Sequence, residues 1–228
     1  MVSFSKVESA LKQTEHRSLL AALCFMIVVS PFLPENGALS WIFAVMLMVI
    51  LLTAARTISG RGHSFRIALI FGIPALLSQA GVLGTDFHWV GTVRYAATAL
   101  FLFWTCGLLF YNIALRAHSV TLELILGAVN IYLLLGLGFA FVYGLIEHLQ
   151  PGSFTGLEDM ARGADLVLIF VYFSFISIST LGYGDVSPLT EYGMTTAYVE
   201  AIAGQLYLAI LMARLVALYI GRRREPGH

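Results

Sequence analysis

Charge is scarce in this chain. Only 11% of its 228 residues are Asp, Glu, Lys or Arg while 59% are hydrophobic, a balance well outside that of a water-soluble domain. The thirteen basic and thirteen acidic residues cancel at pH 7, which argues against a nucleic-acid partner. Cysteine is nearly absent. Cys24 and Cys106 both fall within apolar stretches and read as small packing residues rather than as a disulfide. The six histidines lie near the ends of apolar stretches without i,i+4 partners or carboxylate clusters, so neither a metal centre nor a bound cofactor is expected. Phosphate-binding glycine loops and strand–helix alternation are missing too. No nucleophile and base face each other within the apolar segments, so no enzyme is expected.

What the chain has is length without charge. A hydrocarbon core of roughly 30 Å takes about 20 helical residues to cross. Six apolar stretches approach or exceed that length, near 18–33, 38–55, 66–84, 92–115, 121–146 and 192–220. The first is short and carries Pro31, but no small-x-small cleavage pattern follows it, so it reads as a span rather than a secretory leader. Six spans put both termini on one side of a membrane. That side holds Lys6, Lys12, Arg17, Arg56, Arg61, Arg66, Arg116, Arg214, Arg222, Arg223 and Arg224, eleven of the thirteen basic residues. The positive-inside rule then assigns both termini to the cytoplasm of a multi-pass cell-membrane protein.

The region between the last two spans divides into unlike halves. Residues 147–164 form a polar, Gly/Pro-containing loop. From Asp165 to Ser179 the chain turns apolar and aromatic, enough for about 20 Å of helix and too little for a crossing. That pattern predicts a re-entrant helix followed by a return in extended chain, tolerated at membrane depth only where protein buries it or it lines a watery path. The expected fold is all-α, with six transmembrane helices, one re-entrant pore helix and an extended filter. It splits into a four-span domain, 1–115, and a pore-like domain, 116–228, joined by the basic stretch Arg116 to Ser119.

The return reads Ser179-Thr180-Leu181-Gly182-Tyr183-Gly184-Asp185. To aim successive carbonyl oxygens at one axis, alternate residues must adopt backbone angles that disfavour a β-carbon, and glycine permits them. Gly182 and Gly184 meet that need. The carbonyls of Thr180, Leu181, Gly182 and Tyr183, with the Thr180 hydroxyl, would stack as oxygen rings able to replace the hydration shell of a cation. The negative end of the re-entrant helix would favour a cation beneath them.

These residues resemble the potassium-channel pore family, whose filter pattern is Thr-Val/Ile-Gly-Tyr/Phe-Gly. Asp185 follows the filter, Pro188 sits three further on, and Gly204 matches the family's inner-helix hinge by its distance from Gly182. The resemblance covers 120–220; residues 1–115 share with the family only four preceding spans. It implies a homotetramer in membrane lipid, with potassium as permeant ligand at Thr180, Leu181, Gly182 and Tyr183, and it names no regulatory subunit. It also implies that Gln205 faces a central cavity. Leu208, Met212 and Val216 continue that face at helical spacing, as an apolar gate or a packing stripe. Two positions depart from the pattern. Leu181 stands where a β-branched residue is commoner, which suits a less selective cation channel as the alternative. Ile176 stands where some members carry a carboxylate partner for the filter aspartate, so Asp185 needs another donor, Tyr172 or a neighbour's Tyr183. A transporter subunit is a remoter alternative, since such proteins carry repeated halves and none is evident. Glu200, an ionisable residue within a span, is a regulatory candidate by default. The fourth span has Arg94 near one end and no further basic residue before Arg116, whereas voltage-gated members place arginine at every third position.

Overall fold

Long apolar runs with few helix breakers become long helices. The structure, a computed structural model, describes residues 2–29, 45, 49–50, 70, 72–75, 77, 88–116, 121–160 and 166–223. Its helices α1 (Val2–Val29), α2 (His88–Arg116) and α3 (Leu122–Leu149) are followed by the short strand β1 (Phe154–Thr155) and one helical turn, α4 (Leu157–Met160). Then come α5 (Leu166–Ile178), the strand β2 (Ser187–Pro188) and α6 (Glu191–Arg223). Three segments, His88–Tyr111, Leu122–Leu149 and Glu191–Leu218, are long and apolar enough to cross a membrane. They coincide with the expected spans 92–115, 121–146 and 192–220. Residues 18–29 of the expected span 18–33 fall on α1, within the apolar helical stretch His16–Val29, and 30–33 lie outside the described residues. The expected spans at 38–55 and 66–84 lie, apart from isolated helical residues, outside the described residues.

The start of α3 is built locally. The Thr121 hydroxyl accepts the Leu124 N–H from extended backbone, and Glu123 follows in the first turn, so capping and the helix dipole both favour a helix beginning there. Around α3 the chain packs α1, α2, α5 and α6. The cluster at Gly136-Leu137-Gly138-Phe139 is a landing surface for rings: a β-carbon at Gly136 would lie 2.8 Å from Phe175, and one at Gly138 would lie 3.1 Å from Phe103. Phe139 meets Phe103 edge-on at 5.2 Å.

Two expectations are corrected. Residues 147–164, expected as a polar loop, are in part regular structure, because α3 runs on to Leu149 and β1 and α4 follow, while 161–164 lie outside the described residues. The Glu147 carboxylate organises the turn by accepting the N–H groups of Gly152 (2.7 Å) and Ser153 (2.9 Å). Cys106 is buried as expected of a packing residue, but Cys24 is exposed on α1, and both are free thiols.

Candidate pore and filter segment

The helix α5 has 13 residues, about 20 Å, and so falls short of a crossing. Its last carbonyls lack partners within the helix, and lipid offers none. The chain folds back to supply them. Thr180 N–H donates to Ser177 O (3.0 Å) and Leu181 N–H to Ile176 O (2.9 Å), the paired bonds of a Schellman cap. Gly182 N–H adds a second bond to Ile176 O at 3.0 Å. The return therefore begins as a helix cap and not, as expected, as extended chain. Such a cap requires a left-handed residue, and Thr180 takes that place with φ +61°, at a cost of about 1–2 kcal/mol for a residue with a β-carbon. Positive φ recurs at Gly182 (+55°) and Gly184 (+80°). Every second residue from 180 to 184 is thus left-handed.

The far end of the segment is held by different means. The Tyr172 hydroxyl donates to Asp185 Oδ2 at 2.5 Å, and the other carboxylate oxygen accepts Val186 N–H at 3.0 Å. Next, β2 pairs antiparallel with β1, Phe154 opposite Pro188 and Thr155 opposite Ser187, and Leu189 N–H donates to Ser153 O at 2.7 Å. Gly156, at φ +79°, lies against the Asp185 carbonyl so closely that no β-carbon fits. Phe154 anchors the pair among the rings of Tyr143, Phe170 and Phe173, at centroid distances of 5.5, 5.0 and 5.7 Å. Between these fixed ends Leu181 and Tyr183 are 55% and 68% exposed in the single chain. Ser179 is exposed too, its hydroxyl 3.4 Å from Ile176 O.

One edge of α6 packs behind this segment. Glu200 is fully buried, with the Tyr143 hydroxyl 2.5 Å from Oε2 and the Ser174 hydroxyl 2.5 Å from Oε1. One turn on, a β-carbon at Gly204 would lie 2.5 Å from Ile178 Cγ1 and 2.8 Å from Ile178 O. Gly204 is therefore a contact with the end of α5, whatever bending it allows. Tyr207 donates from the same edge to Ala128 O on α3 at 2.6 Å. That contact was not foreseen, although Glu200, Gly204 and Tyr207 share a helical stripe that the i, i+4, i+7 spacing discloses. Gln205, Leu208, Met212 and Val216 are exposed.

A helix too short to cross, a return of alternating backbone handedness and two flanking helices long and apolar enough to cross are compatible with a membrane pore module. The comparisons agree. A family model described as ion channel matches residues 131–220, from within α3 through most of α6. Protein LctB of Bacillus caldotenax is 31% identical over 101 residues, 43% of this chain and 75% of that protein. Protein LctB of Geobacillus stearothermophilus is 30% identical over the same length and shares. No solved structure matches. The chain belongs to the ion-channel pore family and is a membrane protein.

Proposed function

We propose that this chain is one subunit of a homotetrameric, potassium-selective channel of the cell membrane, with six spans and both termini cytoplasmic. The observation that carries the reading is the left-handed alternation at Thr180, Gly182 and Gly184, the backbone needed for neighbouring carbonyls to face one axis. Residues 180–184 are the selectivity filter in this reading, and potassium, stripped of water, passes by mutual repulsion between adjacent carbonyl sites. Ser179, Tyr172 and Asp185 support the filter. Gln205, Leu208, Met212 and Val216 face the cavity and gate.

Assembly is supported by two features. Each chain contributes one filter strand where a closed carbonyl ring takes four. Of the most apolar stretch of α6, only 6% is buried within the chain, which leaves an apolar wall for copies of the chain and for lipid. The eleven basic residues on one side support cytoplasmic termini. A weakly selective cation channel, the reading that Leu181 invites, is less favoured, because the Leu181 amide is already tied to Ile176 O at 2.9 Å and does not depend on a β-branched side chain for its place.

The test is the purified protein in a planar bilayer under a potassium/sodium gradient. The reversal potential should lie close to the potassium equilibrium value, and a value midway between those of potassium and sodium would remove potassium selectivity from the reading. Native mass should show four chains.

A further inference from the structure

Nothing in conduction as described uses Glu200, yet it is the one fully buried acidic side chain among the described residues. Its contacts can be counted in protons. The Ser174 hydroxyl lies 2.5 Å from Glu200 Oε1 and 2.6 Å from Gly136 O. A serine has a single hydroxyl proton, and a carbonyl oxygen has none to give. The Ser174 proton must therefore lie on the Gly136 contact, since two bare oxygens at that distance would repel. The Ser174–Glu200 contact then needs a proton of its own, and only the carboxyl group can supply it. On the other side Tyr143 donates its phenolic proton to Oε2 at 2.5 Å. The chain closes as Tyr143 O–H to Oε2, Oε1–H to Ser174 Oγ, and Ser174 O–H to Gly136 O.

An ionised Glu200 leaves one of these contacts without a proton. It would also bury a charge, which is strongly disfavoured without a cation beside it. The titratable groups facing it from α3 are Tyr143 and Tyr132. From α5 it meets Ser174, and the nearest basic residue of its own helix, Arg214, lies fourteen positions on, about 21 Å along the axis.

The placement gives this acid a task. It joins α6 to α3 and α5 at once, and Ser174 lies two residues before Ile176, whose carbonyl accepts the Leu181 and Gly182 amides. We propose that Glu200 is a positioning residue for ion selection, acting as a neutral carboxylic acid that donates to Ser174 and so holds α5, and through Ile176 the filter, against the inner helix. This rests on reading residues 180–184 as the selectivity filter.

The experiment compares wild type, Glu200→Gln, Glu200→Ala and Ser174→Ala as full-length reconstituted channels. Bi-ionic reversal potentials are measured across bath pH, alongside infrared difference spectra of the same protein. Glutamine can accept from Tyr143 and donate to Ser174, so Glu200→Gln should keep the wild-type permeability ratio. Wild type should lose that ratio as the bath becomes alkaline, and Glu200→Gln should not. Glu200→Ala and Ser174→Ala should lower the ratio about tenfold, the scale of one lost buried hydrogen bond. Wild type should show a protonated-carboxyl stretch that Glu200→Gln lacks. Loss of selectivity in Glu200→Gln, or no such band in wild type, overturns the proposal, even where the alanine variants fail to assemble. The band reports the proton whatever the pore passes, so a non-selective wild type that shows it refutes the filter reading separately.

Discussion

The two helices on either side of residues 180–184 look alike in sequence and differ in what the chain does with them. Both α3 and α6 offer a 28-residue crossing segment, but 61% of the most apolar stretch of α3 is buried within the chain and only 6% of that of α6. The outer helix is finished inside one subunit: α1, α2, α5 and α6 cover it. The inner helix touches its own chain chiefly along the edge of Glu200, Gly204 and Tyr207, and among its described residues much of the remaining surface is exposed in the single chain. Apolar composition is required equally by a helix that meets protein and by one that meets lipid or another copy. Hydropathy therefore identifies both helices and separates neither.

The largest effect should come from the unfinished half. Gly184 has φ +80° and Gly182 +55°, so Gly184→Ala or Gly182→Ala should abolish current in planar bilayers, while native mass still shows assembled channel. Unaltered current would separate the left-handed alternation from conduction. Next in size, and the sharpest probe of the contrast, are matched truncations on the two helices. Phe141 of α3 has 0% exposure and Ile210 of α6 has 53%. Phe141→Ala should cost about 3–5 kcal/mol of folding stability, read by denaturation in detergent. Ile210→Ala should leave each chain folded and shift native mass toward smaller species. Equal effects on folding would break the comparison.

A smaller change is expected where the halves meet. Gly204→Ala would set a β-carbon 2.8 Å from Ile178 O and 2.5 Å from Ile178 Cγ1, closer than packed atoms tolerate, so α5 must shift. Single-channel recordings should show altered conductance as well as altered open probability. A change in open probability alone would return Gly204 to the role of a simple hinge. The smallest effect belongs to α2. Moving one charge across the field is worth about 2.3 kcal/mol per 100 mV, and steep sensors use three to four charges in each subunit. Arg94, whose guanidinium lies 5.0 Å from the Tyr95 ring centroid, is the basic residue of that crossing segment, His88–Tyr111. The conductance–voltage relation should be flat in wild type and in Arg94→Gln alike. A lost voltage dependence would make Arg94 a sensor.

What was legible in the sequence was local. The short apolar stretch ending at Ser179 and the two glycines beyond it declare themselves through spacing and residue type. What was not legible depends on residues that meet from afar. Tyr143 and Glu200 are 57 positions apart, and no period in either helix says which phenol will face which acid. The positive φ of Thr180 was hidden for a different reason. Threonine is a poor choice for a left-handed site, and only the unmet carbonyls at the end of α5 explain why it is held there. The turn after α3 was missed because Gly152 and Ser153 are ordered by the carboxylate of Glu147 in the preceding helix, a bond that composition does not announce.

The pairing of β1 with β2 spans only two residues on each strand, yet it bears on how a channel comes together. In the proposed tetramer, a loose loop that had to take its final shape among three others would surrender its conformational freedom at the moment of encounter, raising the barrier to association. Here the helix cap fastens one end of the segment and the strand pair fastens the other within a single chain. The ordering is met while each subunit folds alone. In the tetramer proposed above, subunits would then meet as preformed quarters of a ring, and the rate of assembly would become a matter of diffusion and docking.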